Sequence, residues 1–290
     1  MKLGFIGFGE VGFELGRGLR QSGLTDILAF DPLLDDERFG GLVRNRAEEA
    51  GVTLLASPAA VIRQVDVIIA AVPGSQAVSA AQTAAPSLAP GQIYADVSTS
   101  TAAGKKKAAQ LVEQAGARFV DGAMMGGLSM QHHKVPTLLS GSGSDELIRL
   151  LTPFGMVLTR VSDTPGDAIA IKLVRSIAMK GLAALAAETL EAAVKLGVSD
   201  EVLHSVADTL TAAPFKDTLD WLVTASAVHA TRQVHEMNDV LAMLTEIGVE
   251  PAMTRGTIQR LQWLESQKFK DRFQGKKPKE WQDVATDWQS

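Results

Sequence analysis

Lys172 is the one charged residue in the run Ala168-Ile169-Ala170-Ile171-Lys172-Leu173-Val174. A lysine in such a run either lays its stem along a helix edge with the head in water, or faces a cleft. In a partly dry cleft, desolvation favours the neutral amine, which can then exchange a proton with a substrate hydroxyl near physiological pH. Ser176 follows one helical turn later on the same face and can hydrogen-bond the same ligand. The chemistry these residues suit is proton transfer at an alcohol or carbonyl oxygen.

A second constellation lies at the start of the chain. Gly7-Phe8-Gly9-Glu10-Val11-Gly12 follows the apolar run Leu3-Gly4-Phe5-Ile6 and opens a helical pattern. This is a G-x-G-x-x-G arrangement in the context that a dinucleotide requires. Gly7 permits the tight turn, Gly9 lets backbone approach a pyrophosphate, and Gly12 lets the helix lie close to the sheet. The unpaired N–H groups at the helix start then meet the phosphate charge. Asp31 ends the next apolar run, Ile27–Phe30, where an acid can accept the ribose hydroxyls. Gly7, Phe8, Gly9, Glu10, Val11, Gly12 and Asp31 are therefore the expected cofactor residues. An acid at position 31 repels a 2′-phosphate and favours NAD, while Arg38, Arg44 and Arg46 nearby leave NADP open.

These residues need a scaffold of strands and helices to hold them. Strand-like runs occur at Leu3–Ile6, Ile27–Phe30, Val67–Val72, Ile93–Val97, Arg118–Val120 and Thr137–Ser140, with another at Met156–Thr159. Helical stretches at Glu10–Ser22, Ser75–Ala85 and Thr101–Ala115 lie between several of them. Such alternation predicts a Rossmann-type, doubly wound, mainly parallel sheet covered on both faces. From Gly166 onward the chain reads as helices: Asp167–Leu196, Ser199–Asp208, Phe215–Val223, Val228–Ile247 and Pro251–Gln267. The expected domains are 1–163, which binds the dinucleotide, and 164–290, an all-helical domain for substrate and dimerisation.

The 290 residues suffice for two ordinary domains. A formal net charge of −5 argues against a general nucleic-acid binder, which needs a basic face. Absence of cysteine removes disulfide and thiolate chemistry and is consistent with a reducing compartment. The chain enters its first strand without a leader pattern, and no apolar stretch reaches membrane-spanning length. A cytoplasmic protein without a membrane partner is expected. His132 and His133 are adjacent and lack companions at metal-ligand spacing, so they read as loop residues and no metal is expected.

The ordered set of motifs resembles the β-hydroxyacid dehydrogenase family, which includes 6-phosphogluconate dehydrogenase. The carriers are the glycine turn at Gly7–Gly12, then Gly166 and Lys172 at the head of a long helix. The resemblance implies that Lys172 is the general acid/base. It places Val72 and Pro73, in Ala71-Val72-Pro73-Gly74, over the adenosine side of the cofactor. Ser98 and Thr99, in Asp96-Val97-Ser98-Thr99, fall where the nicotinamide approaches, and would equally serve to cap the following helix.

The family's substrate loop commonly reads Asp-Gly-Pro-Val-Ser-Gly-Gly; here it is Asp121-Gly122-Ala123-Met124-Met125-Gly126-Gly127. Met125 thus replaces a serine that usually binds a carboxylate, and a less polar or bulkier substrate follows. Met125, Gly126 and Gly127 remain the expected substrate loop. Ala168 and Ser176 replace a glycine and an asparagine of the family's lysine motif.

On the helix Val228–Ile247, His229, Arg232, His235, Glu236 and Asp239 share one side. His235 stands where the family has a lysine near the cofactor, and Arg232 is a candidate for substrate. The alternative is a solvated face with an Arg232–Glu236 pair. The wording around His235 resembles a divergent branch with a phosphogluconate-dehydrogenase-like C-terminal domain.

The activity implied is NAD(P)-dependent, reversible oxidation of a hydroxy acid or related alcohol by a homodimer. The partner is a small carboxylate or alcohol. Imine reduction on the same fold and non-catalytic nucleotide binding are the rival readings.

Overall fold

A computed structural model describes residues 1–289. Eight strands form one sheet: β1 (Leu3–Ile6), β2 (Ile27–Phe30), β3 (Thr53–Leu54), β4 (Val67–Ala70), β5 (Ile93–Asp96), β6 (Arg118–Met124), β7 (Thr137–Ser140) and β8 (Leu158–Ser162). Their spatial order is β3-β2-β1-β4-β5-β6-β7-β8. Every neighbouring pair is parallel except β6 with β7, which is antiparallel. The chain leaves β1 in one direction for β2 and β3, then returns to β4 on the other side of β1. That reversal makes a crevice at the carboxyl ends of β1 and β4, where open α/β sheets bind ligands.

The central strands are buried along their whole length because helices cover both faces. Alternation sends Phe5 and Ile69 into one core and Ile6 and Ile68 into the other. The covering helices are α1 (Glu10–Gln21), α2 (Gly40–Ala50), α3 (Pro58–Ile62), α4 (Ala77–Ala84), α5 (Ala102–Gln114), α6 (Leu128–Gln131) and α7 (Ser144–Leu151). Alanines at 77, 81 and 84 of α4 and at 108 and 109 of α5 are buried, and such small side chains permit close packing. Edge strand β8 is largely exposed, and Arg160 on it pairs with Asp145 at 3.5 Å and with Asp163. Charge of this kind discourages pairing with another chain's edge.

The remaining helices are α8 (Asp167–Leu196), α9 (Ser199–Thr211), α10 (Phe215–Glu246), α11 (Ala252–Ser266), α12 (Phe269–Arg272) and α13 (Trp281–Ala285). By contact density the chain divides into two compact units, Met1–Ser176 and Ile177–Ser290. The division falls within α8 because its first turns are bonded to the sheet. Ala168 and Ile169 are fully buried, against Ala123 of β6.

Several features differ from the sequence expectation; β6 runs on to Met124, into the expected substrate loop, and α6, α7, α12 and α13 have no counterpart in it. Helices α2 and α3 and the two-residue β3 fill the stretch between β2 and β4; their weak apolar periodicity hid them. Helix α10 is one element of 32 residues where two were expected. Thr224 sits between them, buried, with its hydroxyl donating to the Asp220 carbonyl at 2.8 Å, so the helix continues through it. The last strand is β8 at Leu158–Ser162 rather than Met156–Thr159.

In the helical unit, Glu188 of α8 caps α11. Its carboxylate accepts from the Met253 and Thr254 N–H groups at 2.6 and 2.9 Å and from the Thr254 hydroxyl at 2.7 Å. Burial opposes ionisation of Glu188, but the hydrogen bonds from Thr254 and Met253 outweigh it, with Arg255 nearby, and hold it below the usual carboxylate range. A depressed folded-state value means that the stabilisation is full above the unfolded value and is lost as pH falls through the folded one. Glu188→Ala is expected to lower stability by roughly 1–3 kcal/mol near neutrality. Thermal melts against pH should show the gap to wild type closing only in acid. A constant gap would mean that the carboxylate charge contributes nothing.

Candidate active site

The site begins at the turn after β1. Gly7 has φ +89°, and a Cβ there would lie 2.5 Å from the Ala71 carbonyl oxygen, so only glycine is accommodated. A Cβ on Gly12 would lie 2.5 Å from the Gly7 oxygen, whereas one on Gly9 would meet nothing within 4 Å. Gly9 thus opens the cradle that a pyrophosphate needs, in front of the first N–H groups of α1. The Phe8 ring is fully buried and stacks edge-on against Phe5 at 5.8 Å, so Phe8 offers a ligand its backbone only. Glu10 is exposed and Val11 half-buried on the first turn of α1.

Asp31, at the end of β2, is 6% exposed. Its carboxylate accepts from the Phe8 N–H at 2.7 Å and from the Leu33 N–H at 2.9 Å, which ties the glycine turn to the β2 loop. A carboxylate has about four acceptor positions, so two remain for ribose hydroxyls.

The loops after β4, β5 and β6 leave the same edge of the sheet, since β1, β4, β5 and β6 run parallel. Val72 is half-buried and Pro73 exposed after β4. After β5, Ser98 is buried and its hydroxyl has no partner, while Thr99 is exposed. A buried hydroxyl without a partner needs a ligand or water to satisfy it. Helix α5 is capped by Thr101, whose hydroxyl accepts from the Gly104 N–H at 3.0 Å. Capping therefore does not occupy Ser98 or Thr99.

Lys172 reaches this edge from α8. Its Nζ donates to the Thr99 hydroxyl at 3.1 Å. Ser176 lies one turn on, half-buried, with its hydroxyl donating to the Lys172 carbonyl at 2.9 Å. Its oxygen can still accept from a ligand. Met125 is half-buried after β6, and Gly126 and Gly127 are exposed. Arg232 and His235 belong to the second unit and are exposed on α10; Arg232 forms a 3.7 Å pair with Glu236.

The next part of the connection after Gly127 is anchored to α1. His132 pairs with Glu14, and His133 bonds the Ser22 hydroxyl at 3.0 Å through Nε2. Among the described residues, no group of three His, Asp or Glu is placed to hold a metal ion. Nor is any helix long and apolar enough to cross a membrane.

Asp96, Lys105 and Asp121 were not anticipated. Asp96 and Asp121 face each other in register on β5 and β6. The Lys105 Nζ sits between them, 3.2 Å from Asp96 Oδ2 and 3.3 Å from Asp121 Oδ1, and donates to the Asp96 carbonyl at 2.6 Å. All three are essentially unexposed. A signal existed: Lys105 falls on the apolar face of α5 with Ala108, Ala109 and Val112. Its neighbours Lys106 and Lys107 disguise it as part of a solvated run.

Residues 2–162 match the family model for the NAD binding domain of 6-phosphogluconate dehydrogenase. The chain belongs to that family. Residues 193–264 match a second family model, described as a domain of unknown function. A conserved hypothetical protein of known structure from Sinorhizobium meliloti is 31% identical, with 90% of this chain and 87% of that one covered and a TM-score of 0.62. Human mitochondrial 3-hydroxyisobutyrate dehydrogenase is 26% identical over 70% of this chain and 60% of its own length. A reductive aminase from Aspergillus terreus, in complex with NADPH, cyclohexanone and allyl amine, is 19% identical, covers 92% and 94%, and shares the fold with a TM-score of 0.74. The first unit of this family member is an NAD-binding domain, in accord with the turn at Gly7–Gly12.

Proposed function

We propose that the protein is an NAD-dependent dehydrogenase that reversibly oxidises a hydroxy acid or related alcohol, with Lys172 as its general acid/base. The observation that carries this reading is the Lys172 amine held on Thr99, at the sheet edge that also bears the glycine turn. The N–H groups of Gly9 to Gly12 would hold the pyrophosphate, Asp31 a ribose, Val72 and Pro73 the adenosine side, and Ser98 and Thr99 the nicotinamide end. The chemistry supplied there by a bound nicotinamide would be hydride exchange with the carbinol or carbonyl carbon. Lys172 takes the hydroxyl proton in oxidation and returns it in reduction. Met125, Gly126, Gly127, Ser98 and Ser176 orient the substrate. Arg232 and His235 are assigned to substrate and cofactor on the family resemblance.

A second reading, imine reduction, is supported by Met125. An apolar side chain replaces the hydroxyl that would bind a carboxylate, so the loop suits a less polar substrate. The discriminating experiment measures NADH formation from a panel of hydroxy acids, and NADH consumption on the matching keto acids and on cyclic imines. Turnover on the acids supports the dehydrogenase; turnover on imines alone replaces it with the second reading. Silence on every substrate, with NADH bound, leaves a nucleotide-binding protein.

The same reading includes a homodimer formed through the helical unit. Leu182, Leu185 and Leu190 of α8 face an apolar groove of about 340 Å³ with Leu203, Phe215 and Leu219, and each is exposed in a single chain. A cluster of exposed apolar side chains of this kind suits an association face. Light scattering should return twice the mass of one chain; a single-chain mass rejects the dimer.

A further inference from the structure

Lys105 carries a buried charge that the proposed chemistry does not use, and its contacts connect two parts of the site. An ammonium has three protons to donate. Here one goes to the Asp96 carbonyl, and the charge forms ion pairs with Asp96 Oδ2 and Asp121 Oδ1 at 3.2 and 3.3 Å. The other oxygen of Asp96 accepts from the Ser98 N–H at 2.9 Å, which shapes the loop carrying Ser98 and Thr99. The other oxygen of Asp121 accepts from the Gly166 and Ile169 N–H groups at 3.2 and 3.0 Å, and from the Ser140 hydroxyl at 3.2 Å. Ser140 in turn accepts from the Ala168 N–H at 3.2 Å.

Asp121 and Ser140 therefore cap the start of α8 from the sheet. Lys172 lies three residues beyond Ile169, on the first turns that this cap orients.

We propose that Lys105 is a positioning residue: by bridging Asp96 and Asp121 it sets the start of α8 against the Ser98–Thr99 loop, and so holds the Lys172 amine where it can act. This rests on the reading of Lys172 as general acid/base. A merely stabilising role would not call for charge. Well-packed apolar residues often stabilise as well as a buried ion triad or better, so the charge is better explained by the directed contacts that Asp96 and Asp121 make to the Ser98 N–H and to the start of α8. The fixed element here is the helix terminus, and a small rotation of α8 is amplified at the tip of a long side chain.

The test compares wild type with Lys105→Met, with thermal melting and NADH fluorescence used to verify folding and cofactor binding. The first readout needs no turnover: acylation of Lys172 by acetic anhydride, scored by peptide mass spectrometry against exposed Lys180. Loosening of the Lys172 contacts should raise that ratio at least about threefold. The second readout is kinetic, on whichever substrate wild type accepts. It should show kcat reduced by roughly tenfold or more, KM changed less, and the NADH Kd within about threefold.

An unchanged labelling ratio in a folded Lys105→Met protein overturns the proposal. So does a kcat loss that merely follows the loss of folded protein. If Lys105→Met does not fold, Ser140→Ala removes the weaker strut of the same cap and should move both readouts in the same direction; no movement overturns the proposal. A wild type inert on every substrate removes the dehydrogenase reading alone, because the labelling ratio still decides the positioning role.

Discussion

Lys172→Ala is expected to cut kcat/KM by roughly 10²- to 10⁴-fold, the usual weight of a positioned general acid/base, while leaving NADH affinity within about threefold. The separation follows from the geometry. Lys172 bonds Thr99, whereas the Phe8 N–H of the glycine turn bonds Asp31; on the proposed reading the first contact would lie at the reacting end of the cofactor and the second would hold its pyrophosphate and ribose. Removing the amine thus deletes a proton acceptor without touching the main anchors of the dinucleotide.

Lys172→Arg makes the test sharper. A guanidinium preserves the charge and can still reach a hydroxyl, but it does not give up its proton in a protein. The Arg variant should be nearly as impaired as the Ala variant. A folded Arg variant with near wild-type turnover would show that position 172 supplies charge rather than proton transfer. A folded Ala variant that keeps more than about a tenth of wild-type activity would remove Lys172 from the chemistry altogether.

Asp31→Ala should weaken NADH binding by tenfold or more and lower the preference for NADH over NADPH. Two losses combine. The Phe8 and Leu33 N–H groups lose their shared acceptor; the Phe8 donor is buried, and leaving it unsatisfied costs about 1–3 kcal/mol, whereas water can reach the partly buried Leu33 donor. The ribose hydroxyls lose their carboxylate, and with it goes the repulsion of a 2′-phosphate. NADPH affinity should therefore fall less than NADH affinity, and it rises if repulsion dominates. Titration of both cofactors into wild type and variant reads this directly. A wild type that prefers NADPH, or a variant whose two affinities fall equally, would show that Asp31 does not select the cofactor.

The dinucleotide half of the site was legible at residue level because its constraints are local. A strand, a turn that only glycine can make and a helix start lie within one stretch of twelve residues. Lys172 stood out as one cation in an apolar helical run, but the run leaves open whether it snorkels or faces a cleft; its contact with Thr99 is a tertiary fact. Helices α2 and α3 were not legible, since short helices can pack on a sheet through a few apolar residues with little periodicity. Nor was the continuity of α10, because Thr224 and Ser226 weaken a helix locally while packing around Thr224 carries it through.

Sequence alone determined the alternation of strands and helices in the first half and the all-helical second half, the glycine turn, Asp31 as its acidic partner and Lys172 as the candidate for proton transfer. Each depends on residue type and on spacing within an element or across one turn. Tertiary structure alone decided that Asp96 and Asp121 face each other on neighbouring strands, that Lys105 lies between them rather than in water, and that Asp121 caps the helix bearing Lys172. These contacts join residues from β5, α5, β6 and α8. A buried charge is tolerable only where partners converge from several elements, and no local pattern announces that convergence.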